Sequence, residues 1–130
     1  MKTFADLKHK EWILPLILGV AIGILRLWLA YQIKPYLGNG AGDFTFATRI
    51  AHDIWDGLDT YAAAVHPMTP DSVSYPIPAG IVAMPFALFS DEVASAIFMG
   101  LSCFILAWCL LQNGKTWQLL VFLSWPFAYA

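Results

Sequence analysis

Charge is what this chain lacks most. Only 12% of its 130 residues are Asp, Glu, Lys or Arg, while 59% are hydrophobic and the mean hydropathy is +0.64. An average soluble domain carries roughly twice that charged share. So few charged side chains cannot clothe a globule of this size in water, and hydrocarbon is the solvent the composition fits. Net charge is −2 and the pI is near 5.8, which excludes the basic footprint of a nucleic-acid-binding domain. Cysteine is scarce too. Cys103 and Cys109 lie six positions apart inside one apolar run, where a helix turns them in different directions. They read as small buried apolar residues, not as a disulfide or a metal pair. Also missing are Gly-x-Ser-x-Gly, the phosphate loop, Gly-x-Gly-x-x-Gly and any metal-ligand spacing, so no cofactor is expected.

What is present falls into apolar runs. Residues 12–31 make twenty positions, enough to cross about 30 Å of hydrocarbon, and end without the small-residue cleavage pattern of a signal peptide. Trp12 at one end, and Trp28 with Tyr31 at the other, suit the two membrane interfaces. Gly19 and Gly23 form a Gly-x-x-x-Gly pair that lets another helix come close. Arg26 has two readings: it snorkels to the headgroups, or it faces a cavity and binds an anion such as a lipid phosphate. A charge left at the bilayer centre costs about 3 kcal/mol.

Residues 75–89, cut by Pro76, Pro78 and Pro85, are short for a straight span and predict a bent or partly inserted helix. Ser90 suits an N-cap, and Asp91 and Glu92 suit the positive end of the helix that follows. Residues 93–111 read as another span, and 117–130 begin a fourth apolar helix too short to cross. The expectation is one all-α integral membrane domain over 1–130, the N-terminal fragment of a larger polytopic protein. It has about three transmembrane helices, a truncated fourth, and an amphipathic interfacial helix in a first outer loop, residues 32–74. Lys2, Lys8 and Lys10 against a nearby Lys34 put the N-terminus in the cytoplasm and that loop outside the cell (inner) membrane.

The polar exception is residues 42–61. Ala47, Ile50, Ala51, Ile54 and Leu58 recur at helical spacing, predicting a helix over 43–56 that lies apolar face down on the membrane. Gly57 suits a left-handed cap, and Asp53 and Asp56 the solvated side. Asp43 has two readings: helix N-cap, or a carboxylate that takes a proton from an attacking hydroxyl. Asp59 and Tyr61 read as a polar turn.

Taken in order, Gly-Asp-Phe at 42–44, Gly-Leu-Asp-Thr-Tyr at 57–61, Tyr-Pro-Ile-Pro at 75–78, a proline inside the next apolar run and Trp-Pro-Phe-Ala-Tyr at 125–129 form a pattern. It resembles the N-terminal part of GT-C-fold membrane glycosyltransferases, in particular glycosyltransferase family 87, the polyprenyl-phosphate-mannose-dependent α-mannosyltransferases. Thr60 stands where that family has proline, and Pro78 is displaced by one from its Pro-Pro pair. The resemblance implies transfer of a mannose-like sugar from a polyprenyl-phosphate donor to an extracytoplasmic glycan or glycolipid acceptor. It implies Asp43 as general base, with Arg49, His52, Asp59, Tyr61 and Tyr75 as substrate-binding candidates, and no catalysis by the 130-residue chain alone. Two other classes compete. One is a small non-enzymatic membrane protein packing on a partner through Gly19 and Gly23. The other is a transporter fragment with Arg26 on the solute path.

Overall fold

The two longest uninterrupted apolar runs become the two longest helices. The computed structural model describes residues 12–37, 42–61, 76–112 and 116–123. They form α1 (Ile13–Leu37), α2 (Phe44–Asp56), α3 (Ile77–Ala83) and α4 (Asp91–Gln112), followed by a 3₁₀ helix, Thr116–Leu123. At 25 and 22 residues, α1 and α4 extend for about 37 and 33 Å at 1.5 Å per residue. Both are long and apolar enough to cross a membrane. They are apolar outside as well as inside: Ile17, Ile24, Trp28 and Leu101 all point away from the protein.

The helix pair is antiparallel, and glycine sets its spacing. A Cβ added to Gly19 would sit 2.7 Å from the Gly100 carbonyl oxygen, and one added to Gly100 would sit 2.8 Å from that of Gly19. Gly23 also lies close to α4, its Cβ position 3.2 Å from the Ala96 carbonyl oxygen. Backbone therefore touches backbone, with Ala30, Ala94, Cys103 and Ala107 buried along the helices. The Gly-x-x-x-Gly pair is thus used within the chain, against Ala96 and Gly100, rather than on a partner. Cys103 is buried as expected, but Cys109 is exposed, because its offset along α4 carries it to the outer face.

Between these helices lies a smaller unit. α2 occupies the expected residues and ends at Gly57, whose φ of 67° is the left-handed cap conformation. Its stripe of Ala47, Ile50 and Ala51 is buried, but against protein: Ala47 and Ala51 form a core with Ala83 and Ala87. Gly80 of α3 admits Ile50 directly, since a Cβ there would come within 2.8 Å of the Ile50 Cβ. The apolar face of α2 is therefore spent on α3 and not laid on a membrane. Leu58 is off that face and exposed. Asp53, expected on the solvated side, is only 6% exposed.

Two expected spans take other forms. In residues 76–89 the prolines leave α3 seven residues long, and turns follow from Met84 to Leu88, so α3 by itself is shorter than a membrane-crossing helix. Ser90 then starts α4, its carbonyl accepting the Ala94 amide at 2.8 Å, with Asp91 and Glu92 in the first turn. In the fourth run the described part is 3₁₀ rather than α, because apolar composition specifies burial and not hydrogen-bond register. The remainder, residues 124–130, lies outside the described residues.

Candidate functional site

Polar groups gather where the end of α1, the start of α2 and the start of α4 meet. Three ties fix this junction. Arg26 of α1 is only 4% exposed and donates from Nε to Ser95 Oγ of α4 at 3.1 Å. Its guanidinium also lies against Gly42, whose Cβ position is 3.6 Å from a terminal guanidinium nitrogen. Gly42 has a φ of 60°, so the turn into α2 favours glycine for its backbone. Arg26 thus points inward to protein, and the snorkelling alternative does not hold: the helix N-terminal to it is covered by α4, and Ser95 offers an acceptor there.

The second tie joins α2 to α4. Thr48 Oγ1 is 2.6 Å from Asp91 Oδ1 and 3.0 Å from the Thr45 carbonyl oxygen. A hydroxyl has one proton, and the ionised carboxylate is the stronger acceptor, so Thr48 donates to Asp91. The third tie is Lys34 Nζ to Glu92 Oε1 at 2.6 Å, between the last turn of α1 and the first turn of α4. Beside them three rings close the junction. Phe44 and Phe98 stack at 4.9 Å, and Phe86 meets both edge-on at 6.3 and 5.5 Å.

Thr48 is 1% exposed, so its tie to Asp91 should contribute measurably. Thr48→Val keeps the shape and removes the donor, and should cost about 1–3 kcal/mol. Thermal melting followed by helix circular dichroism checks this. The double variant with Asp91→Asn should lose little more than Thr48→Val does, because the two residues act as one bond.

A cavity of about 540 Å³ opens beside these ties, walled by α2, α3 and α4. Val82, Ala83, Phe98 and Met99 make its wall apolar, and Asp43 and Ser95 are the polar side chains that reach it. Asp43 sits at the N-cap position of α2, but with helical φ of −63° and ψ of −21° and no side-chain bond to the helix. The cap reading therefore fails on the bond that defines it, and the carboxylate remains uncommitted at the cavity wall. Convergent polar groups in an apolar recess of this size are the usual form of a small-ligand site.

The other candidates lie elsewhere. Arg49 and His52 are exposed on the side of α2 turned from the cavity, Arg49 over the Phe46 ring at 5.6 Å and His52 edge-on to Trp55 at 5.8 Å. Asp59 accepts the Tyr61 amide at 3.1 Å, the local turn expected of it, and both are exposed. Tyr75 lies outside the described residues. Among the described residues no three His, Cys, Asp or Glu side chains converge as metal ligands would. Ser95 and Thr48 were not legible as site residues. Each is a lone hydroxyl in a helix, and only its partner 69 or 43 positions away gives it meaning.

The chain matches no protein-family model, no curated protein and no solved structure.

Proposed function

We propose that this protein is a membrane-embedded sugar transferase of the GT-C kind, with Asp43 as general base and a polyprenyl-phosphate-linked sugar as donor. The observation that carries the reading is Asp43 itself: an acid at the mouth of a helix whose carboxylate makes no cap bond and faces a cavity. The acceptor hydroxyl oxygen attacks the anomeric carbon of the donor sugar, and its proton passes to the Asp43 carboxylate. The bond from that carbon to the phosphate oxygen breaks, and polyprenyl phosphate leaves with the electron pair. A positioned base of this sort contributes roughly 10²–10⁴-fold.

The surroundings support an interfacial location. From Trp12 to Trp28 is sixteen positions, about 24 Å of helix, and both rings are exposed. The antiparallel pairing of α1 and α4 supports a two-span arrangement in this stretch, with the α2–α3 unit on the extracytoplasmic side. The direct test uses membranes carrying the complete natural reading frame, incubated with a radiolabelled polyprenyl-phosphate mannose. Label should pass to a glycolipid or glycan above the level in membranes without the protein. Equal label in both would overturn the reading.

A further inference from the structure

The α2–α3 unit has two unlike outer surfaces. α2 turns its buried stripe to α3, and its other side, with Arg49, His52 and Asp56, stands exposed. α3 turns Gly80 and Ala83 to α2, which leaves Ile77, Ile81 and Val82 exposed on its own far side. The turns that follow add Leu88, 74% exposed, and Phe89. No residue from 76 to 89 has a hydroxyl, amide or charged side chain. Arg26, Thr48 and Ser95, by contrast, are buried. Polar groups inside an apolar exterior are the arrangement that lipid selects and water does not.

The depth of this face is set by α4. Phe86 meets Phe98 edge-on at 5.5 Å, and Phe98 is seven positions beyond Asp91, about 10 Å along the helix. α3 and its turns therefore flank the first turns of a helix long enough to span, where one leaflet of hydrocarbon is about 15 Å deep. The backbone suits that depth, at which an unbonded amide is expensive. The amides of Met84, Phe86, Ala87 and Phe89 bond to carbonyls of Ile81, Ala83 and Phe86 at 2.9 to 3.3 Å. Pro76, Pro78 and Pro85 have no amide to satisfy.

We infer that α3 and the turns after it form a wedge in the leaflet around the start of α4, its outer face against acyl chains, with the far side of α2 in water. The wedge enters hydrocarbon without crossing it. It rests on α1 and α4 crossing the membrane, as the reading above has them, and is independent of Asp43 as base.

Three leucines read the boundary: Leu88 on the wedge, Leu101 on α4, and Leu58 between Asp56 and Asp59, at 74, 46 and 47% exposed. Hydroxyl radicals generated in the water around the complete natural chain, held in phosphatidylcholine nanodiscs, should oxidise Leu58. Leu88, despite its greater exposure, should react as slowly as Leu101 and at least about tenfold more slowly than Leu58, because the bilayer core holds no water. A phosphatidylcholine with a diazirine midway along one chain should, on irradiation, label residues 77–89 as well as α1 and α4. Oxidation of Leu88 as fast as that of Leu58, with Leu101 protected, would overturn the wedge and leave the two spans. Protection of Leu88 without lipid label would overturn it too, since protein then covers that face. Oxidation of all three leucines, with no label on α1 or α4, removes the spans themselves and the wedge with them.

Discussion

Asp43→Asn should lower sugar transfer by roughly 10²–10⁴-fold while leaving the protein as stable as before. The choice of asparagine separates the two roles an acid can have at the start of a helix. Asn caps as well as Asp does, so a residue that served only as a cap would lose nothing on this change. Here the side chain makes no cap bond and is exposed, so stability has no reason to move. An amide oxygen still accepts a hydrogen bond from the attacking hydroxyl but cannot take its proton at neutral pH. Binding should therefore survive and kcat fall. Initial rates with a polyprenyl-phosphate sugar, set beside melting curves of both proteins, decide it. Transfer at the unsubstituted rate would remove Asp43 from the chemistry.

Gly100→Leu should produce a large loss of stability. The Cβ alone would stand 2.8 Å from a backbone oxygen of α1, which no change of rotamer relieves. The helices must separate, and separation also breaks the approach of Gly23 to Ala96. Overpacking a well-fitted contact costs about 1–3 kcal/mol, and a backbone clash belongs at or beyond the upper end. For a domain of this size that is roughly 10 °C of melting temperature. Leu101→Ala, one residue on but exposed, should melt within a degree or two of the parent. The prediction extends to the junction, because Arg26–Ser95 and Lys34–Glu92 hold only while α1 and α4 keep their spacing. Equal melting of Gly100→Leu and Leu101→Ala would mean that the seam does not set stability.

Much of the fold is legible in local chemistry. The two long helices follow from unbroken apolar runs, the end of α2 from Gly57, and the start of α4 from Ser90, Asp91 and Glu92, whereas α3 is half the length that the run 75–89 led one to expect. Each of these depends on residues within a turn or two of one another. Asp43 was legible at the mouth of α2 with two readings, cap and proton-taking carboxylate, and only the structure shows that its side chain makes no cap bond.

What faces what was decided by the tertiary structure. Periodicity gave α2 an apolar stripe without saying whether lipid or protein would cover it. Gly80 decided for protein, by letting Ile50 approach α3. Arg26 could be placed in a span from sequence, yet its direction depended on Ser95, 69 positions away. Gly19 and Gly23 announced a close helix contact, and Gly100 identified the partner as α4. The division has a physical cause. Hydrogen bonding and conformational preference act between near neighbours and are written locally, whereas burial and charge pairing depend on which distant elements share a surface. Sequence alone determined where α1, α2 and α4 run and where the polar island lies, and the packing of α1 on α4 and α2 on α3 set the acid at the start of that island on the wall of a cavity.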